Sequence, residues 1–312
     1  MIDVKTFVTL FFREVCRIGT SFYAGGSMLK KVGIYAKKNH PDVEKIVFDI
    51  RDRLNRDDIT VLLEDSVAEL IGQVNGFSGD EIPDLVDLVI VLGGDGTLIS
   101  VARQIGERRV PIVGVNLGRL GFLTEITRDE LPGMLDRLVT GEYKISERMM
   151  LDSFIYRNGQ QIGKYTVLND IVINKGALAR IIDMDASIDG RHLCTYKADG
   201  LIIATPTGST GYSLAAGGPI IFPEINSLLI SPICPHMLTN RPVVVWSRSV
   251  INIEVKFQDD VVFFTADGQV GRKLLPGDRV EVRRSESRTL LVRSPSKDYF
   301  EILRTKLSWG ER

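Results

Sequence analysis

The stretch Asp87–Gly106, DLVIVLGGDGTLISVARQIG, decides the fold. An apolar run from Leu88 to Leu92 meets Gly93, Gly94, Asp95, Gly96 and Thr97, and helical spacing begins at once. Strand, glycine turn and helix N-terminus in that order form an anion site. Glycines let the backbone approach a phosphate without a Cβ clash, and the leading N–H groups of the helix point at it. Thr97 is expected to cap that helix end. Working outward, KVGIYA (31–36), a helix from Val43 to Asn55, ITVLLE (59–64), VPIVGVNL (110–117) and an amphipathic helix from Asp129 to Val139 continue a strand–helix alternation. This predicts an open parallel, Rossmann-like α/β sheet.

Neither common phosphate-loop motif fits these letters. A Walker A loop needs Gly-Lys-Ser/Thr, and the dinucleotide fingerprint needs a third glycine where Ile99 stands. Asp95 is the distinguishing residue, because a carboxylate among phosphate-binding amides repels the ligand unless it has another task. It can take a proton from a nucleophilic hydroxyl or hold a divalent cation. A plain turn with Asp95 facing solvent is the alternative left by this loop alone.

After Arg148 the texture changes. Asn158-Gly159 and Asp189-Gly190 sit between alternating runs and predict hairpins. Further strand pairs are expected around RPVVVWSRSVINIEVKF (241–257) and VVFFTADGQVGRKLL (261–275), with more strand from Val280 to Val292 and a helix from Asp298 to Trp309. The predicted organisation is an N-terminal extension over 1–27, poorly ordered; an α/β nucleotide and phosphate domain over 28–147, to which 293–312 returns; and a β-rich, sandwich-like domain over 148–292.

Composition narrows the function. The chain has 312 residues, 39 basic against 40 acidic, for a net charge of -1. No long-range field is available to hold a nucleic acid, so bound phosphate must be held locally. The apolar run Thr6–Phe12 falls far short of the ~20 residues needed to cross a bilayer, and no clear signal-peptidase site follows it. Cys16, Cys194 and Cys234 are dispersed, as are His40, His192 and His236. The pattern fits a reducing, cytoplasmic setting and offers no metal-ligand spacing.

Three further segments carry polar groups suited to a ligand. Asn169 and Asp170, beside an apolar strand, can donate to and accept from vicinal hydroxyls, although the pair also reads as a turn. From Tyr196 through Ala198–Ile220, ADGLIIATPTGSTGYSLAAGGPI, small hydroxyl and glycine residues suit a chain that wraps a polar ligand, with a short helix from Tyr212 to Ala216. Thr265–Gln269, TADGQ, reads structurally as a hairpin turn.

Taken together, GGDGT, LND, the 198–220 stretch, PICPH (232–236), NRPVVV (240–245) and TADGQ occur in the order seen in bacterial-type NAD kinases, and the chain resembles that family from about Met28 to beyond Gln269. The resemblance implies transfer of the ATP γ-phosphoryl group to the adenosine 2′-hydroxyl of NAD, with magnesium or another divalent cation. It implies a homodimer or homotetramer, and neither membrane nor nucleic acid as partner. It assigns Asp95 as proton acceptor, with Gly93, Gly94, Gly96 and Thr97 in the phosphate loop. Asn169 and Asp170 match the pair that holds ribose and adenine, Asp170 standing where a glutamate is usual. Arg180, Lys197, Asp199, the run Thr210, Gly211, Tyr212, Ser213, Leu214 and Ala215, and Gln269 resemble ligand contacts. Phe122, in GRLGFLT, resembles a base-flanking aromatic, with core packing as the competing reading. Diacylglycerol and sphingosine kinases share the GGDGT type of loop, and a non-catalytic dinucleotide sensor would share the binding segments; the hydroxyl-rich segment favours a dinucleotide over a lipid.

Overall fold

The computed structural model describes residues 21–22, 29–37, 40–176, 181–257 and 261–309. The expectation for residues 1–27 therefore lies outside the described residues, except that β1 (Ser21–Phe22) pairs with Ile145 and Lys144.

The first half follows the alternation in its sequence: β2 (Lys31–Ala36), α1 (Val43–Asn55), β3 (Thr60–Leu63), α2 (Asp65–Leu70), α3 (Ile82–Leu85), β4 (Leu88–Gly93), α4 (Asp95–Ile105), β5 (Pro111–Asn116), β6 (Ile126–Thr127) and α5 (Leu131–Thr140). The strands are parallel in the order β3-β2-β4-β5. Every residue of β4 is buried, as a central strand covered on both faces requires. On α1, Val43, Ile46, Val47, Ile50 and Leu54 recur at helical spacing, and they pack with α5 on the sheet face formed by Ile34, Ile90 and Val113. The opposite face, Tyr35, Val89, Val91 and Ile112, is covered by Leu98, Val101 and Ile105 of α4. Burying each such side chain contributes roughly 1.5–3 kcal/mol.

The second half comprises β7 (Lys144–Arg157), β8 (Gln160–Val167), β9 (Asp170–Lys175), β10 (Ile182–Ile188), β11 (Arg191–Ala198), β12 (Gly200–Ala204), a 3₁₀ turn (Thr207–Thr210), α6 (Tyr212–Ala215), β13 (Ser227–Ile233), β14 (Val243–Trp246), β15 (Ile251–Lys256), β16 (Val262–Ala266), β17 (Val270–Leu274), β18 (Arg279–Val292) and α7 (Tyr299–Leu307). A six-stranded antiparallel sheet, β14-β13-β12-β9-β16-β17, packs face to face on the larger sheet. Ile171, Leu201, Ile203 and Phe264 from one side meet Leu151, Met184, Ile253 and Val280 from the other. The three Asx-Gly turns have positive φ at both residues, 51° and 79° at Asn158-Gly159, 51° and 76° at Asp189-Gly190, and 50° and 64° at Asp267-Gly268.

The pairing expected within 241–257 is not a hairpin. β14 joins β13 in the small sheet, whereas β15 joins β10 and β18 in the large one. Ile251, Ile253 and Val255 enter the sandwich core from the large-sheet side, which a hairpin with β14 would forbid.

Two strands unite the halves. β7 and β18 each run 14 residues and pair antiparallel along their length. At one end Ile145, Leu290 and Val292 belong to the α/β core; at the other Leu151, Ile155, Val280 and Val282 belong to the sandwich core. β18 also pairs in parallel with β5 through Leu290 and Leu291, so the large sheet is continuous across the molecule. Beyond it, α7 is opened by a reciprocal Asp298–Glu301 capping box, sets Tyr299 edge-on to Phe222, and places Lys306 over the Phe122 ring.

Candidate active site

β4 delivers the chain to Gly94, whose extended backbone caps α4, and Asp95 is the first helical residue. No side chain caps this helix, which corrects the expectation for Thr97. Thr97 lies within the first turn, its N–H bonded to the Gly94 carbonyl at 3.0 Å. Its hydroxyl lies so near Gly93 that a Cβ there would sit 2.6 Å away. The side chain is thus directed against the strand and leaves uncapped a helix start of the kind that can take an anion.

The Asp95 carboxylate is turned into the loop after β5, so the solvent-facing turn is not what forms. Oδ1 accepts from Leu123 N–H, Thr124 N–H and the Thr124 hydroxyl, each at 3.0 Å, and Oδ2 accepts from Phe122 N–H at 2.8 Å. A carboxylate has about four lone-pair directions. Oδ1 is filled, and Oδ2 keeps one direction for a further hydrogen. Asn116 donates to the Thr124 hydroxyl at 2.9 Å, so that hydroxyl must direct its own hydrogen at Asp95. The close fit demands glycine at 121, where a Cβ would lie 2.0 Å from Asp95 Oδ1.

The second cluster starts at β9. Asn169, Asp170, Asn174, Tyr212, Thr265 and Asp267 line a cavity of about 270 Å³. Small-molecule pockets usually span about 300–1,000 Å³, so this space takes part of a dinucleotide. Among the described residues, the buried side-chain oxygens of Asn169 and Asn174 have no protein donor, the condition of a site that supplies acceptors to a ligand. The Asp170 carboxyl is pushed up to about 7, first by burial and then by the charge of Asp267, while the Tyr212 backbone N–H pulls the other way.

Asp267 organises the cluster. Its side chain is fully buried and accepts from the backbone N–H groups of Leu168, Asn169 and Asp170 at 3.1, 2.8 and 3.2 Å. Burial raises its pKa, against the pull of those amides and of Arg103, whose guanidinium lies 3.7 Å away. Gln269 joins this turn to the phosphate loop: its Nε2 donates to the Gly96 carbonyl at 2.8 Å, and its Oε1 accepts from Arg103 at 2.6 Å. Gln269 thus spends one donor and one acceptor on protein, and its amide keeps a second of each.

The other expected residues divide. Tyr212 lines the cavity and Gly211 lies against Asp170 Oδ2. Thr210 bonds the Thr207 carbonyl, and buried Ser213 meets Ser231 at 2.9 Å, tying the wrapping segment to β13. Leu214 is half-buried and Ala215 exposed. Lys197 pairs with Asp183, and Asp199 with Lys175, neither lining the cavity. Phe122 is half-buried beneath Lys306, also outside the cavity lining. Arg180 lies outside the described residues.

The ATP-NAD kinase N-terminal domain family matches residues 32–143, and the ATP-NAD kinase C-terminal domain family matches residues 168–294. The chain belongs to the ATP-NAD kinase family. Curated NAD kinases from Syntrophotalea carbinolica and Geobacter sulfurreducens are 56% and 53% identical to this family member, over 91% of its length and 100% of theirs. Its fold is similar to that of yeast NADH kinase complexed with NADH, with a TM-score of 0.85 at 27% identity, covering 92% of this chain and 89% of that one. An Archaeoglobus fulgidus NAD kinase in complex with ATP shares the fold at a TM-score of 0.71 and 24% identity, covering 90% and 100%.

For this ATP-NAD kinase family member, sequence reasoning passed over Asp267, Asn174 and Arg103. The TADGQ turn was visible, but the reach of Asp267 back to residues 168–170 depends on tertiary placement. The wrapping segment also has a backbone constraint: a Cβ on Gly208 would lie 2.1 Å from the Asn169 carbonyl oxygen. Gly208→Ala should lower thermal stability by about 1–3 kcal/mol and weaken NAD binding by displacing Asn169. Thermal melts and NAD titration check both effects.

Proposed function

We propose that this chain transfers the γ-phosphoryl group of ATP to the adenosine 2′-hydroxyl of NAD, giving NADP and ADP. As a member of the ATP-NAD kinase family it is an NAD kinase, a phosphotransferase. One observation carries the finer reading: the open lone pair of Asp95 Oδ2 stands at the amide-rich start of α4, and Gly96 is joined through Gln269 to the turn that orders Asn169 and Asp170. Phosphate-binding amides, a proton acceptor and ribose-binding groups are thereby gathered at one junction.

Phosphoryl transfer depends mainly on alignment and charge stabilisation. Asp170 and Asn169 hold the adenosine half, the α4 amides hold phosphate, and Asp95 Oδ2 receives the 2′-hydroxyl hydrogen as its oxygen attacks phosphorus. Among the described residues there is no group of three or more His, Cys, Asp or Glu arranged to cage a metal. Magnesium carried on the ATP phosphates would neutralise phosphate charge at the phosphate loop. No described helix is long and apolar enough to cross a membrane, and a cytoplasmic location fits the sparse cysteines. A homodimer or homotetramer is supported by β14, an edge strand that exposes Val244 and Trp246.

The purified chain incubated with ATP, magnesium and NAD should form NADP stoichiometrically with ADP. NAD binding without NADP formation would establish a sensor instead, and phosphorylation of a diacylglycerol or sphingosine but not NAD would establish the lipid-kinase alternative.

A further inference from the structure

We propose that Arg103 is a positioning residue that fixes the helix bearing Asp95 against the turn that orders Asn169 and Asp170, so that the substrate hydroxyl and its proton acceptor are held in register. This inference rests on the reading that both clusters act on one dinucleotide. Arg103 lies two helical turns after Gly96 on the same face of α4, and side chains on a helix lean toward its N-terminus. Its guanidinium therefore reaches back toward the phosphate loop. One nitrogen donates to Gln269 Oε1 at 2.6 Å and another lies 3.7 Å from the buried Asp267 carboxylate.

The chemistry allows one arrangement. Arginine has donors and no acceptor, so Gln269 must turn its oxygen to Arg103 and its NH₂ to the Gly96 carbonyl, where the bond measures 2.8 Å. The amide cannot flip without setting donor against donor. Asp267 in turn holds three consecutive backbone N–H groups, including those of Asn169 and Asp170. The result is a bracket from α4 to the β16–β17 turn and onward to β9. Its ends are Gly96, the neighbour of Asp95 on α4, and the backbone of Asn169 and Asp170. The Arg103 side chain is 17% exposed and that of Asp267 0%, so this is not a solvated surface pair, which would contribute little.

If NAD is held mainly by the β9 cluster, loosening the bracket should misalign the hydroxyl without releasing the ligand. Remote misplacement of about 1 Å can cost on the order of 10²-fold in rate. Arg103→Met keeps the apolar stem and removes the donors. It should lower kcat about 10- to 100-fold while the NAD dissociation constant, titrated without ATP, changes less than about threefold. Arg103→Lys should recover part of kcat, since one ammonium can serve either partner. Gln269→Leu should reproduce the loss, and the Arg103→Met/Gln269→Leu double variant should be no slower than the worse single variant, because both changes open the same bracket.

Unchanged kcat in Arg103→Met, additive losses in the double variant, or kcat and NAD affinity falling together with thermal stability would each overturn the proposal. If Arg103→Met does not fold, Arg103→Lys and Gln269→Leu decide it by the same kcat-against-affinity split. Failure of the underlying reading is separate: it appears as absence of NADP formation by the wild-type chain, or as wild-type turnover in Asp95→Asn.

Discussion

Asp95→Asn should lower turnover about 10²- to 10⁴-fold, the usual contribution of a positioned proton acceptor, while fold and NAD affinity stay near wild type. An asparagine oxygen can replace Oδ1 and still accept from Leu123, Thr124 and the Thr124 hydroxyl. Its NH₂ then occupies the place of Oδ2 and faces the Phe122 N–H, donor against donor. That conflict should cost about 1–3 kcal/mol of stability, enough to lower the melting temperature without unfolding the chain. The decisive change is chemical, because the open lone pair proposed to receive the hydroxyl hydrogen is gone. Single-turnover NADP formation at saturating ATP and NAD measures it. Wild-type rates in the variant would remove Asp95 from the role of acceptor.

The second large effect is at Asp170. Asp170→Ala removes the acceptor proposed for a ribose hydroxyl, and a polar group left unpaired costs about 1–3 kcal/mol, a rise of about 5- to 150-fold in the NAD dissociation constant. Unchanged affinity would exclude the contact. In the wild type the same carboxyl, pushed up to about 7, is neutral below that pH and charged above it. The charged form accepts two hydroxyl hydrogens, so NAD affinity should strengthen as pH rises through about 7, and the trend should vanish in Asp170→Asn.

Stability runs the opposite way. The folded pKa lies above the unfolded value near 4, so the folded state binds the extra proton between those values and loses stability as pH rises from about 4 to about 7. Asp170→Asn has no such charge to bury. It should melt higher than wild type at pH 8, with the gap closing toward pH 5, as thermal melts across that range would register.

Local chemistry made much of this legible. Asn158-Gly159 and Asp189-Gly190 announce their hairpins because those residues tolerate positive φ, and the α1 stripe announces its buried face through spacing alone. Asp95 stood out because a carboxylate in a glycine turn at a helix start is chemically costly. What the letters concealed depends on distant partners. Arg103 and Gln269 are 166 positions apart, and Asp267 and Asn169 are 98 apart, so neither pairing leaves a periodic trace. The protein contacts on both sides of the Gln269 amide were accordingly invisible in the letters. The β14–β15 segment misled for a related reason: short apolar runs separated by a turn look alike whether the chain folds back or crosses to another sheet. Thr97 had the right hydroxyl for a cap but stands inside the first turn, where its contact with Gly93 sets its direction.

The long strands β7 and β18 make the two halves parts of one girder. Rigid-body opening of one half from the other would shear a hydrogen-bonded ladder that continues from Arg279 to Val292, apart from the bulge between Arg284 and Arg288. The Gly-rich turn, the 117–124 loop and the wrap around Tyr212 are therefore carried on one common frame. Groups contributed by the two halves are set on one stiff jamb rather than on a pair of jaws.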